Sequence, residues 1–305
     1  DITAIYSYGT SGEKVMYVEG QDWFRAGAGF GRTANSRIPD FNDYTYATSF
    51  GNRFAFISEP RNPPLTINYN VYIDYTTQKK DPEVTALGLG RQQSSVLCLG
   101  DSIADGAHTI ESYYRGNDSQ SWCGLLRSAL APGMSVRNES VPGGSLRSIA
   151  SDLQAYSALP GDTVILAFGM NDHVFEPENG VAGFESELET VVSAFLARKS
   201  NVILVGFFQQ NELWELEERA KTVSYNQAIR SVAQSKKVPF IDILAAFESI
   251  RVGMDPQFAH VTGDFMHHPN VYGQRIYYSL LIPYFIQSSR SSSTIPHYVL
   301  GPWTN

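Results

Sequence analysis

Five short apolar runs recur through the second two thirds of this chain, each leading into a stretch of helical or turn character, and this series constrains the fold more than any other feature. The runs are Ser95–Leu99, Met134–Arg137, Thr163–Phe168, Val202–Phe207 and Val238–Ile241. Strands so continuously apolar are expected where helices cover both faces, as in a parallel sheet. Helical patterns are predicted near 121–131, 145–157, 180–199 and 213–236. In the third of these, Val181, Phe184, Leu188, Val191, Val192 and Phe195 form the apolar stripe of a helix packed on a sheet. Five β-then-α units in series predict an α/β fold, a three-layer α/β/α doubly wound parallel five-stranded sheet. Ligands of such sheets bind beyond the carboxyl ends of the strands.

The first part of the chain has a different grammar. It is rich in Tyr, Phe, Gly, Asn and Thr, and Thr66–Tyr75 alternates with period two, as half-buried antiparallel strands do. Turn signals stand at Gly51-Asn52 and Pro60–Pro64. Residues 1–90 are therefore read as a small β-sheet module resembling a β-sandwich, and 91–288 as the α/β domain. Residues 289–305 are read as a Ser-rich linker and tail, with the serine run beginning at Ser288. The aromatics of the module have two readings, strand core with cross-strand pairs or platforms for stacking sugars, and the first carries more weight.

Composition narrows the function classes. With 305 residues, 43% apolar, there is ample material for a large core, and disorder is excluded. A net charge of −8 offers no diffuse positive field for phosphate backbones, so no nucleic-acid partner is expected. No stretch approaches the ~20 apolar residues of a spanning helix, and Asp1 begins no signal-like series. The expectation is a soluble chain without membrane insertion, trimmed ahead of Asp1. The two cysteines, Cys98 and Cys123, are too few for a disulfide framework and are expected to be buried structural thiols.

Four segments fall just after predicted strands, on the rim where a doubly wound sheet presents its site. Gly100-Asp101-Ser102 opens a tight turn that exposes a serine, with Asp101 and Asp105 as loop-ordering residues. Asn138–Ser145 contains Pro142, Gly143 and Gly144 and turns sharply before a helix capped by Ser145. Gly169-Met170-Asn171-Asp172 sets an amide on the same rim. Last, Asp264–Gly273 carries His267, His268 and Pro269. Proline favours the first helical position, which makes His268 the expected N-cap. Asp264, His267 and His268 as a metal set is the lesser alternative, since recognised ligand spacing is missing.

Together these four segments, in this order, resemble the blocks of the SGNH (GDSL-type) hydrolases, a likeness that covers roughly residues 92–288. The resemblance implies Ser102 as nucleophile, Gly143 as a backbone oxyanion donor in preference to Gly144, the Asn171 amide as a second donor, and Asp264 with a histidine to complete the triad. Here one extra residue separates the last block's features: His267 has the family's usual distance from Asp264, whereas His268 immediately precedes Pro269-Asn270. The expectation is His268, with His267 packing or lining the pocket. His173 is expected as a solvated loop residue or a substrate contact, and His108, His260 and His297 as bystanders. Trp214 and Glu215 either line the cleft or pack at a helix start.

The implied activity is hydrolysis of short-chain acyl esters, with no metal or organic cofactor. A polar, Gly-rich rim fits acetyl on a carbohydrate better than a long lipid chain. The expected partner is thus an O-acetylated glycan, on the resemblance to carbohydrate acetylesterases and some phage tail proteins. An extracellular, cell-surface or virion-tail location is favoured over the cytoplasm, and self-association into a homo-oligomer stays open. The alternatives are a simple-ester, lipid or thioester hydrolase of the same family, or a non-catalytic glycan-binding tail component.

Overall fold

The computed structural model describes residues 2–8, 13–27, 29–38, 71–75, 94–107, 118–130, 133–175, 178–211, 218–251, 261–262 and 267–285. Asp264, His108, His260, His297, Trp214, Glu215, residues 66–70 of the Thr66–Tyr75 segment, both turn signals and the Ser-rich tail lie outside them.

In the first module, β1 (Ile2–Tyr8) runs antiparallel to β2 (Lys14–Tyr17), while β3 (Trp23–Ala26) and β4 (Gly29–Arg32) form a separate hairpin. A fifth strand, β5 (Tyr72–Tyr75), pairs with the other edge of β1. Alternation sends Ile5 inward, where it joins Tyr17, Trp23 and Ile38 in a small core. Tyr6, Tyr17 and Trp23 are buried and Phe24 is half exposed, so the described aromatics serve mainly as packing. The Asp22 carboxylate sits beneath this core edge, accepting hydrogen bonds from Val18 N–H and from the Arg37 backbone and guanidinium. The Arg37 guanidinium holds Asp22 well below the usual carboxylate range.

The second module begins with β6 (Ser95–Gly100), α1 (Ser102–Asp105), α2 (Trp122–Leu130) and β7 (Ser135–Asn138). There follow α3 (Leu146–Ser151), α4 (Leu153–Ala158), β8 (Thr163–Ala167), α5 (Met170–Phe175) and α6 (Gly180–Ala197). The series ends with β9 (Asn201–Val205), α7 (Arg219–Lys236), β10 (Phe240–Ile241), α8 (Ile243–Arg251) and α9 (Val271–Leu281). The five strands are parallel, in the order β10-β9-β8-β6-β7. Chain order reverses between β6 and β8, which makes their carboxyl ends the switch point where such folds bind ligands.

Strands β6, β8 and β9 are buried almost end to end, as continuous apolar runs require. Strand β7 alternates instead, with only Val136 fully inside, because it is the sheet edge. Helices α6 and α7 pack on each other and on β9, and α2, α9 and α8 form a second group. The α6 stripe buries Phe184, Leu188, Val191, Val192 and Phe195. The single helix expected over 145–157 is two, broken at Asp152, whose φ of −124° leaves the helical region. Asp competes for its own backbone hydrogen bonds and interrupts helices readily.

Two further expectations need correction. Cys98 and Cys123 are joined as a disulfide that ties β6 to the start of α2, with Cα atoms 6.5 Å apart. The thiol reading failed because 25 residues separate them, and only packing of α2 on the strand brings them together. His173 is not a loop residue: it lies in α5 and is 2% exposed. Among the described residues, no helix is long and apolar enough to cross a membrane.

Candidate active site

Gly100 ends β6, and a Cβ there would come within 2.7 Å of Ala104 and 2.9 Å of the Ala167 carbonyl, so the turn after the strand demands glycine. Asp101 then caps α1, its carboxylate accepting from Ile103 N–H at 2.8 Å. This places Ser102 on the first residue of a four-residue helix that Gly106, at φ +90°, terminates in the left-handed conformation. As the opening residue of the helix, Ser102 has an N–H without an intrahelical acceptor.

From the edge strand, Asn138 ties the next loop to that turn, its amide donating to the Ala104 carbonyl at 3.1 Å. The loop turns through Gly143 at φ +78°, a conformation glycine adopts without strain. Gly144 N–H is already used, donating to the Val141 carbonyl at 2.8 Å, whereas Gly143 N–H donates to no backbone carbonyl among the described residues. Geometry therefore leaves Gly143, rather than Gly144, as the backbone donor available to a ligand.

Following β8, Gly169 takes φ +125° with the Phe207 ring so close that a Cβ would meet it at 2.6 Å. Asn171, 3% exposed, donates through Nδ2 to the Gly144 carbonyl at 2.8 Å, which aims its second amide hydrogen from a fixed position. Asp172 completes the brace: one oxygen accepts from Leu146 N–H at 2.9 Å and the other from Gly169 N–H at 3.0 Å. A single buried carboxylate thus joins the start of α3, just past Gly143 and Gly144, to the turn bearing Asn171. Sequence reasoning missed Asp172, although its place beside Asn171 was a signal.

His268 Nε2 lies 2.8 Å from Ser102 Oγ, with the two residues 6% exposed each. His267 packs against it with ring centroids 4.0 Å apart and planes tilted by 41°, and is itself buried. The expected N-cap is displaced, however: α9 starts at Val271 and Asn270 caps it, accepting from Gly273 N–H at 2.9 Å. Asparagine is a strong N-cap, and Pro269 is held in an extended bridge to Thr262, so the helix cannot begin two residues earlier. The structure brings Ser102 and His268 into contact and ties Asn171 to the loop of Gly143 through the Gly144 carbonyl, while Asp264 lies outside the described residues.

Two buried titratable groups flank the site. Burial pushes Asp101 up to about 6, against the opposing pull of the Ile103 N–H and the neighbouring His268. Burial pushes His173 down to about 4; its Nδ1 lies 2.6 Å from the Met170 carbonyl and its ring packs on Phe207 and Tyr225. His173 is therefore a neutral packing residue, set against Phe207 and Tyr225. No group of three or more His, Cys, Asp or Glu side chains suited to a metal occurs among the described residues.

Comparison with known proteins bears on this arrangement. The sequence model of the GDSL-like Lipase/Acylhydrolase family matches residues 98–276. Comparison with curated proteins returned no match. Among solved structures, the acetylxylan esterase Axe2 from Geobacillus stearothermophilus is similar at 19% identity and a TM-score of 0.52, covering 68% of this chain and 100% of that one. TesA is similar at 20% identity and a TM-score of 0.50, over 63% of this chain and 97% of its own. LAE5, an alpha/beta hydrolase enzyme from the metagenome of Lake Arreo, Spain, is 21% identical with a TM-score of 0.50, over 62% of this chain and 93% of its own. At these identities the likeness is one of fold.

Proposed function

The chain belongs to the GDSL-like lipase/acylhydrolase family, and from that premise we propose that it is a serine esterase removing short acyl groups, acetyl above all, from a carbohydrate or polysaccharide. The observation that carries the proposal is the 2.8 Å separation of Ser102 Oγ and His268 Nε2. A serine hydroxyl is a weak nucleophile at neutral pH and needs an adjacent base. His268 Nε2 takes the hydroxyl proton as Oγ bonds to the ester carbonyl carbon, and negative charge develops on the carbonyl oxygen. Ser102 N–H, Gly143 N–H and the Asn171 amide receive that charge, each donor being worth about 3 kcal/mol. Collapse breaks the bond to the alkoxy oxygen, which leaves as the alcohol with the proton from His268. Water, deprotonated by the same imidazole, then releases the carboxylic acid from the acyl-serine. Asp264 is assigned as the group that accepts from His268 Nδ1–H and fixes its tautomer.

The carbohydrate substrate is supported by the character of the rim. Gly143, Gly144, Ser145 and Asn171 offer backbone and amide groups rather than a long apolar wall. Phe175 is 52% exposed one helical turn beyond Asn171, a flat face suited to a sugar ring. The similar fold of an acetylxylan esterase agrees with this reading. A second reading rests on two exposed apolar side chains, Phe175 and Val141, as contacts for the apolar acyl chain of a simple ester, lipid or thioester.

The test is acetate release from acetylated polysaccharides and from 4-nitrophenyl esters of increasing chain length, with the parent, Ser102→Ala, His268→Ala and His267→Ala side by side. Ser102→Ala and His268→Ala are expected to lose about 10³-fold or more in kcat, while His267→Ala retains turnover. Preference for the acetylated polymer supports the glycan substrate, and rates rising with chain length favour the second reading. A parent that hydrolyses none of these esters overturns the esterase assignment and leaves glycan binding as the surviving activity.

A further inference from the structure

Helix α1 contains only four residues, far too few to hold its shape alone, so the position of Ser102 must be set from outside. The histidine loop arrives from 166 residues away in sequence, yet Oγ and Nε2 meet within hydrogen-bond distance. One side chain connects the two. Gln274, fully buried on the first turn of α9, donates from Nε2 to the Ile103 carbonyl at 2.8 Å. Its Oε1 accepts from Trp122 N–H at 3.0 Å. Ile103 follows the nucleophile directly, and Trp122 N–H opens α2, where helices lack internal acceptors. The backbone of Gln274 donates to the Asn270 carbonyl at 2.9 Å, so the same residue belongs to the cap that ends the histidine loop. Tyr277, one turn further along α9, lines a small cavity with Asp101 and Ile103, which shows independently that this face of α9 lies against the nucleophile turn.

We propose that Gln274 is a positioning residue that sets the Ser102–His268 separation by bonding α9 to both α1 and α2. This rests on the serine-esterase reading of the site. At this fully buried position a neutral amide donates to Ile103 and accepts from Trp122 at any pH. Methionine fills the space but makes neither bond, and ionised glutamate accepts but cannot donate. Protonated glutamate does both, since its O–H donates and its carbonyl accepts.

The experiment compares the full chain with Gln274→Met and Gln274→Glu. It reads kcat and KM on 4-nitrophenyl acetate, the rate of Ser102 labelling by a small alkyl fluorophosphonate, and the thermal midpoint. In Gln274→Met, kcat and labelling rate are expected to fall together by about tenfold or more, with KM within about twofold, because small displacements of reacting groups cost rate rather than binding. For Gln274→Glu, the ratio of its kcat to that of the parent is expected to rise as pH falls from about 8 to about 5.5, as the buried carboxyl takes up a proton. A purely structural role would lower stability and leave the kcat ratio of the folded variant independent of pH. Variants that label and turn over at the parental rate overturn the inference, as does a pH-independent Gln274→Glu ratio if Gln274→Met does not fold. A parent that the fluorophosphonate does not label overturns the serine-esterase reading beneath it instead.

Discussion

At Asp101 a buried carboxyl caps the helix that begins at Ser102, and its cost shows in its protonation. Its folded-state value is raised to about 6 from 3.8, so the native state binds a proton the unfolded chain has released. The stability this represents is present below about pH 3.8 and lost as pH rises through about 6. His173 has the opposite sign: held at about 4 against an ordinary 6.5, it contributes stability above about pH 6.5 that is lost as pH falls through 4. Between about pH 4 and 6 the two slopes oppose each other. Asp101→Asn keeps the cap and is expected to gain stability over the parent as pH rises from about 4 to 7, by on the order of 2–3 kcal/mol. His173→Gln should gain relative stability as pH falls across the same window. Urea midpoints measured at several pH values check both, and a difference that stays constant with pH contradicts the assignment of these groups.

Among the elements, the strand that leads into Ser102 is anchored through α2. The Cys98–Cys123 disulfide fastens β6 to α2, and Gln274 then fastens α2 to α9. Closing a loop of 25 residues restricts the unfolded chain and is worth about 3 kcal/mol. Denaturation in the presence of a reductant is expected to show a loss of about that size, and an unchanged midpoint would mean the bridge contributes nothing. The strands and the long helices were legible in the sequence because their periodicity is local: the apolar stripe of α6 buries the residues that its spacing indicated. The start of α9 was misplaced because two residues competed for the cap. Proline rules predicted His268, but the Asn270 side chain reaches Gly273 N–H and Pro269 is bridged to Thr262. Neither Asp172 nor Gln274 stood out, since a polar residue inside a helical pattern does not reveal which distant backbone groups it satisfies.

For the molecule as a whole, the β module touches the α/β domain close to the candidate site. Tyr6 of β1 is buried against Val271, the first residue of α9 and three positions beyond His268. Tyr6→Ala should therefore cost about 3 kcal/mol, as a large-to-small substitution at a packed contact does. It should also lower kcat more than an equally destabilising change within the small core around Trp23. Calorimetry paired with steady-state rates distinguishes the two effects, and a loss of stability without loss of kcat would show the module to be a passenger. The sequence by itself determined the parallel α/β architecture, the order of the rim segments and the glycines of the turns, because hydrophobic period and turn chemistry act over a few residues. Tertiary structure decided which of two adjacent imidazoles faces Ser102, that the cysteines pair, that His173 is buried and neutral, and that Gln274 and Asp172 brace the site. Each of those depends on groups from separate elements, and the packing of helices on the sheet determines which of them meet.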